Sequence, residues 1–220
     1  MKTKIAQKAI AAAMVVSLVA APLTVFATES ASSSSSTAAT VAQATTGTST
    51  PSTPAPATTE VAAGGKVAAN GVTIYATTAG ASTVKSIPAL AVTAPEADLT
   101  AGLELAKGER AFFSAYDTSA TKSPASAACI ESAAASQGGT VAAMVNMTIG
   151  KMSGGKFKAG SSTFRPRVTM ATPKKNANYC VVVVGPGGTT RVEQDQDEKA
   201  GTVTVNGNAG LAAYGIVELP

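Results

Sequence analysis

The sequence contains no histidine and no tryptophan, and aromatic residues make up only 4% of its 220 residues. Histidine is the usual general base near neutral pH and a frequent zinc ligand. Its absence excludes Ser-His-Asp and Cys-His catalysis as well as histidine-bound metals. Sugar-binding sites commonly stack their ligands on Trp or Tyr rings, so the shortage of aromatic residues also argues against carbohydrate binding.

Charge is scarce as well, because charged residues are 14% of the chain and the net charge is only +4. Three of the 17 basic residues, Lys2, Lys4 and Lys8, precede Ala27, and no acidic residue accompanies them. After Ala27 the chain has 14 basic and 13 acidic residues and is nearly neutral. Nucleic-acid binding needs a basic surface that displaces counterions, so we expect no nucleic-acid partner.

The amino-terminal segment has the pattern of a secretory signal peptide, residues 1–27. Its lysines are followed by an uncharged stretch, Ala9 to Val25, and the small residues Val25 and Ala27 precede Thr28. A basic start, an apolar middle and a small-residue exit predict export and cleavage before Thr28. An uncleaved membrane anchor is the alternative, and it is the one route by which we expect the chain to meet a membrane.

Residues 28–63 are almost entirely Ser, Thr, Ala and Pro. Such a segment offers too little apolar surface to offset the entropy of ordering, which predicts a disordered tether. The tether is either a spacer that carries a domain away from the cell or simple filler.

Residues 64–220 contain short β-rich runs separated by Gly, Pro and Asn, which predicts a mostly β domain of the sandwich type, with a sub-boundary near residue 139. Tyr179 to Val184 has no polar side, so we expect a central strand that is covered on both faces. Gly185 to Gly188 then predicts a hairpin turn into Thr189. The remaining predicted strands are Val72–Ala76, Leu90–Thr93, Arg110–Tyr116, Val141–Ile149, Phe164–Met170, Thr189–Glu193, Thr202–Val205 and Ala213–Val217.

One helix is predicted within this β pattern, over Ala125 to Gln137. Ser123 can cap it, Pro124 suits its first position, and Gly138 supplies the stop. Ile130 is its only large apolar residue, so we expect it to cross a sheet edge or an end of the sandwich. Pro95 to Leu105 is either a second helix or a loop.

Cys129 lies in the predicted helix and Cys180 in the predicted central strand. Outside the cell two cysteines can form a disulfide, which requires the helix to pack on that strand. The alternative is that both are small buried hydrophobic residues that never meet.

Two charged groups are candidate binding sites. Four carboxylates lie within six residues and could hold Ca²⁺, although a polar hairpin tip explains them equally well. They are Glu193, Asp195, Asp197 and Glu198. A basic group could face an anionic wall polymer, or it could be an ordinary solvated surface. It comprises Lys151, Lys156, Lys158, Arg165, Arg167, Lys174 and Lys175.

The last third of the chain resembles the carboxy-terminal β-sandwich modules of secreted and wall-associated Gram-positive bacterial proteins. Those modules close with a strand like Leu211 to Val217. The other matching stretches are Met144–Ile149, Gly154–Phe157, Phe164–Pro173, Tyr179–Val184 and Gly201–Val205. The resemblance implies an immunoglobulin-like sandwich and an accessory role without catalytic residues.

These observations predict a non-catalytic module, secreted or wall-associated, that serves adhesion, scaffolding or envelope interaction. An envelope polymer or a surface protein is the expected partner. A small secreted hydrolase that uses Glu104, Glu109 or Asp117 is one alternative. A solute-binding domain with a deep apolar pocket is another.

Overall fold

A computed structural model describes residues 59–197 and 199–220. The predicted signal peptide, residues 28–58 of the predicted tether, and Glu198 lie outside the described residues. The described part of the chain is mostly β, as the sequence predicts. It contains no helix with the length and apolar character needed to cross a membrane.

The described residues form two α-helices and thirteen strands. The helices are α1 (Glu96–Gly102) and α2 (Pro124–Ser136). The strands are β1 (Glu60–Val61), β2 (Lys66–Ala69), β3 (Val72–Tyr75), β4 (Ala79–Ala81), β5 (Leu90–Val92), β6 (Arg110–Asp117), β7 (Thr140–Ser153), β8 (Lys156–Ala159), β9 (Arg167–Ala171), β10 (Tyr179–Val184), β11 (Thr190–Gln194), β12 (Thr202–Asn206) and β13 (Gly210–Glu218).

The strands form three sheets. The largest has the order β1-β4-β6-β7-β13-β10-β11, and β8 pairs with the end of β7. Its pairs are antiparallel except for the parallel pair β4 and β6. A three-stranded sheet has the order β12-β9-β5, and β2 and β3 form a separate hairpin.

The structured region begins earlier than the sequence predicts. Glu60 and Val61 pair with Ala81 and Gly80, so β-structure starts four residues before the predicted domain boundary at 64. The predicted sub-boundary near 139 falls between α2 and β7, inside one compact unit. Strand β7 pairs with β6 on one side and β13 on the other, so the sheet continues across that position.

The main core lies between the largest sheet and the three-stranded sheet. Inward-facing residues of β7, β10 and β13 on one side meet those of β5, β9 and β12 on the other. Fully buried members include Met147, Val181, Tyr214, Met170 and Val203. Alternation along each strand produces this layer, because side chains two residues apart share a face.

Strand β10 is buried on both faces, as its uniformly apolar sequence predicts. Val181 and Val183 face the main core, whereas Cys180, Val182 and Val184 face α2. The predicted hairpin is also present, since β10 and β11 pair antiparallel across a turn at 185–189.

Helix α2 begins and ends within one residue of the predicted bounds but has a different position. The sequence predicts that it crosses a sheet edge or a sandwich end, yet Ile130 and Ala134 pack on the face of the largest sheet. Ile130 lies against Gly215, where the missing side chain leaves room for the helix. Of the two alternatives for Pro95 to Leu105, a helix or a loop, the helix is the one that forms, as α1.

A fourth layer covers part of the outer face of the three-stranded sheet. Val67, Val72 and Ile74 of the β2–β3 hairpin pack on Ala89, Ala91 and Ala171. The alanines let the hairpin approach closely. Beyond them, the same sheet face carries the buried Thr169 and Thr204 and the partly exposed Thr93.

Tyr214 anchors the turn between β12 and β13. Its fully buried hydroxyl accepts a hydrogen bond from Asn208 N at 2.8 Å. The Asn208 side chain in turn accepts from Arg191 at 2.7 Å, and Arg191 pairs with Glu193 at 2.6 Å. This network joins the outer strand β11 to the core.

Replacing Tyr214 by phenylalanine should remove part of the alkaline sensitivity of the fold. Burial raises the pKa of Tyr214 to about 12, so the unfolded chain ionises this group from about pH 10 while the folded chain does not. Stability from this group is therefore present below pH 10 and lost as pH rises toward 12. Urea unfolding at pH 8 and pH 11 should show about 1 kcal/mol less pH-dependent loss in Tyr214→Phe.

The exposed Tyr116 supplies the matched control for that measurement. Tyr116→Phe should keep the pH dependence of the original chain. Equal pH dependence in the Tyr214→Phe variant and the original chain would contradict the assignment.

The contact between Ile130 and Gly215 should appear as energetic coupling. A Cβ at 215 would overlap the Ile130 side chain, so Gly215→Ala should cost about 1–3 kcal/mol. Ile130→Ala should cost about 2–5 kcal/mol because it leaves a cavity. The double variant should lose clearly less than the sum in urea unfolding. If the losses in the free energy of unfolding were additive, they would contradict the contact between Ile130 of α2 and Gly215.

Candidate functional site

The three described carboxylates of the predicted Ca²⁺ site each have a partner within the protein. Glu193 pairs with Arg191, and Asp195 Oδ1 accepts from Thr204 N at 2.9 Å. Asp197 accepts from Lys199 N at 3.1 Å and from the Thr204 hydroxyl. The described residues contain no group of three or more side chains suited to hold a metal ion. Glu198 lies outside the description.

The carboxylates of the hydrolase alternative are not brought together. Glu109 and Asp117 lie near opposite ends of β6, more than about 20 Å apart at 3.3 Å per residue. Paired glycosidase carboxylates lie within about 10 Å of each other. The side chain of Glu104 is exposed in the loop after α1, and its backbone carbonyl accepts from Lys151.

Glu109 and Asp117 both have structural partners that favour the ionised form. The Ala106 N–H and the Lys151 amine lower the pKa of Glu109 to about 2. Burial would raise the pKa of Asp117, but hydrogen bonds from the side chain and backbone of Ser86 and from Lys85 N outweigh it, and the pKa is lowered. A general acid needs a raised pKa, so neither carboxylate suits that role.

Cys129 and Cys180 belong to one apolar cluster, but their thiols are free. Helix α2 does pack on β10, which a disulfide would require. Ile130 lies over Gly215, however, and the partner of Gly215 on β10 is Val182. Cys180 lies two residues from Val182 along β10, which places it about 7 Å from the point where Ile130 contacts the sheet. Burial raises the pKa of the Cys180 thiol, which disfavours the reactive thiolate.

The predicted basic group is also divided by the fold. Lys151 pairs with Glu109 and Lys174 with Glu218, both at 2.7 Å. Lys156 and Lys158 lie exposed on β8. Arg167 begins β9 and lines a cleft on the outer face of the three-stranded sheet.

That cleft, which we call the threonine cleft, has a volume of about 440 Å³ and lies beside the β2–β3 hairpin. Its lining is mainly hydroxyl, amide and charged side chains. The residues used below are Tyr75, Thr93, Arg167, Thr169, Asp197, Lys199 and Thr204. They come from four separate parts of the chain that the two neighbouring sheets bring together.

Three threonine hydroxyls form a continuous hydrogen-bonded chain along the floor of the cleft. Thr93 and Thr169 are 2.9 Å apart, and Thr169 and Thr204 are 2.8 Å apart. The Thr204 hydroxyl donates to Asp197 Oδ2 at 2.7 Å. Strand register explains the row. Thr169 faces Thr204 on one side and Ala91 on the other, and Thr93 lies two residues after Ala91 on the same face.

The carboxylate fixes the direction of the whole chain. An ionised carboxylate only accepts, and a threonine hydroxyl has one proton to donate. Since Thr204 gives its proton to Asp197, it must accept from Thr169, and Thr169 must then accept from Thr93. The Thr93 oxygen therefore faces the cleft as an acceptor.

The loop that carries Asp197 is held in place by its own contacts. Gln196 N donates to Thr204 O at 2.9 Å, and Lys199 Nζ reaches Thr73 O at 3.0 Å. The second contact links this loop to the β2–β3 hairpin. The loop that carries Asp197 is thus joined both to β12, through Thr204, and to the β2–β3 hairpin, through Thr73.

Arg167 provides the charged contact group at the rim. It is exposed, and no ion pair found among the described residues includes it. Tyr75 also borders the cleft, but its ring projects from the outer face of the hairpin, because Val72 and Ile74 face the sheet. A free guanidinium and an oriented hydroxyl are suited to a polar ligand that carries hydroxyls.

A second cleft of about 600 Å³ lies between β1, α1 and the start of β6. Leu99, Leu105 and Phe112 contribute apolar surface, and Glu109 lies at its edge with its partner Lys151. Both clefts are open to solvent, whereas a solute-binding domain would be expected to enclose its ligand in a deep apolar pocket.

Comparison of the chain with protein-family models, curated proteins and solved structures finds no match. The candidate site therefore depends on the geometry and chemistry of its own residues.

The threonine cleft was not predicted from the sequence. Its one local signal is alternation, since Thr202 and Thr204 alternate with valines in β12 and Thr169 lies between Val168 and Met170 in β9. That pattern marks a strand face that lacks large apolar side chains. It does not identify which strands become neighbours.

Thr204→Val should test the hydroxyl chain by its stability cost. The substitution keeps the side-chain shape but leaves Asp197 Oδ2 without a donor and the Thr169 hydroxyl without an acceptor, which should cost about 1–3 kcal/mol. Thr118 is the matched control, because its hydroxyl is buried without a hydrogen-bond partner. Thr118→Val should be neutral or stabilising in urea unfolding. Equal effects of the two substitutions would contradict the chain.

Proposed function

We propose that this protein is a non-catalytic module that works outside the membrane and binds a polymer of the cell envelope in the threonine cleft. The observation that carries the proposal is the combination of Arg167 and the oriented Thr93 hydroxyl at one open cleft. An open cleft admits the middle of a polymer, whereas a closed pocket admits only a small molecule or a chain end.

The location follows from the amino-terminal sequence. A lysine-rich start, an uncharged stretch and a small-residue exit are typical of exported proteins. The Ser, Thr, Ala and Pro composition of residues 28–58 suits a spacer between the cell and a binding domain. In that location a polymer of the cell envelope is the expected partner.

The finer fold that we propose is an immunoglobulin-like sandwich. Its support is the pair of sheets that face each other across one core, and the buried Tyr214 hydroxyl bonded to the backbone six residues upstream. A tyrosine with that role is a recurrent feature of such sandwiches. The parallel pair β4 and β6 departs from the simplest version of the fold.

Binding to isolated Gram-positive bacterial cell walls tests the proposed function. The original chain should co-sediment with the walls, and Thr93→Val should weaken binding severalfold because the ligand loses one hydrogen-bond acceptor, worth about 0.5–1.5 kcal/mol. Thr118→Val is the matched control, since Thr118 lies outside the cleft lining. Equal losses in both variants, or no co-sedimentation of the original chain, would overturn the proposal.

A further inference from the structure

The outer face of the three-stranded sheet places Thr93 beside Arg167. Thr93 N donates to Arg167 O at 2.9 Å, just beyond the pairing of Val92 with Val168. Directly opposed residues of an antiparallel pair have Cβ atoms about 5 Å apart. An acceptor oxygen and a guanidinium are therefore close enough to contact adjacent groups of one ligand.

These two side chains have opposite requirements. The proton of the Thr93 hydroxyl is committed to Thr169, so Thr93 offers lone pairs and requires a donor. Arg167 has only donors, in a planar fork that matches a carboxylate or a phosphate. Lys199, at the opposite rim, adds positive charge near the same cleft.

We infer that the threonine cleft selects an anionic polyol, a polymer in which each carboxylate or phosphate lies next to a free hydroxyl. Arg167 holds the anion, and the Thr93 oxygen accepts the neighbouring hydroxyl proton. This inference rests on the proposed function and identifies the chemical class of the polymer.

The oriented hydroxyl chain is what makes Thr93 selective. If Asp197 did not accept from Thr204, each hydroxyl could rotate, and Thr93 could donate to a ligand acceptor as readily as it accepts. With the direction fixed, an anion placed on Thr93 meets only lone pairs. The anion is thereby directed to Arg167, which gives the ligand one preferred orientation in the cleft.

Titration of the immobilised full chain with three polymers tests the inference. Polygalacturonate supplies carboxylates, poly(glycerol phosphate) supplies phosphates, and dextran is the neutral control. At least one anionic polymer should bind ten times or more tightly than dextran, and added salt should weaken it. The anionic polymer that binds more tightly shows whether the cleft prefers a carboxylate or a phosphate. Equal binding of dextran and both anionic polymers would overturn the inference.

Variants at the two contact residues sharpen the test. Arg167→Gln should weaken anionic binding at least tenfold, whereas Arg165→Gln, the same charge change at an exposed neighbour outside the cleft lining, should alter it less than twofold. Thr93→Val should weaken binding severalfold and Thr93→Ser should restore it. Equal effects of the two arginine substitutions would contradict the assignment to Arg167.

The outcomes separate this inference from the proposed function. Wall binding that depends on Thr93, together with dextran binding that ignores Arg167→Gln, would leave the proposed function standing and remove the anionic polyol. Absence of binding to walls and to all three polymers would remove both. Thermal unfolding of each variant checks that a lost signal reflects the site and not the fold.

Discussion

The whole fold depends on small side chains at the contacts between its layers. The chain has few aromatic residues, so it cannot build one thick core from large side chains. It stacks α2, the largest sheet, the three-stranded sheet and the β2–β3 hairpin instead. Gly215 lets Ile130 reach the largest sheet, and Ala89, Ala91 and Ala171 let the hairpin reach the three-stranded sheet. Close approach increases both burial and dispersion contacts, which together offset the entropy of folding.

The candidate site is a consequence of where that stacking stops. The hairpin covers the alanines of the three-stranded sheet but leaves its threonines at the floor of a cleft. Hydroxyls held in a partly buried row need partners, and here they satisfy one another in sequence, ending at Asp197. The same hydrogen bonds that give each threonine hydroxyl a partner also fix the direction in which each hydroxyl donates. Structure and specificity therefore have a common origin in the row Thr93, Thr169 and Thr204.

Much of the local structure could be predicted because its causes are local. The uniformly apolar run at 179–184 requires cover on both faces, and Gly185 to Gly188 permits a reversal. Ser123, Pro124 and Gly138 mark the ends of α2. Its position could not be predicted, because Ile130 finds Gly215 only after β13 lies between β7 and β10. The cleft was hidden for the same reason, since strand order alone makes Thr93, Arg167 and Asp197 neighbours.

Mapping of amide chemical shifts during titration with a short anionic polyol measures the central claim most directly. The account predicts that shifts concentrate at Thr93, Arg167, Thr204 and Tyr75, which line the threonine cleft. Shifts that instead cluster around Leu105 and Phe112, in the second cleft, would contradict it. So would a spectrum that does not change at millimolar ligand.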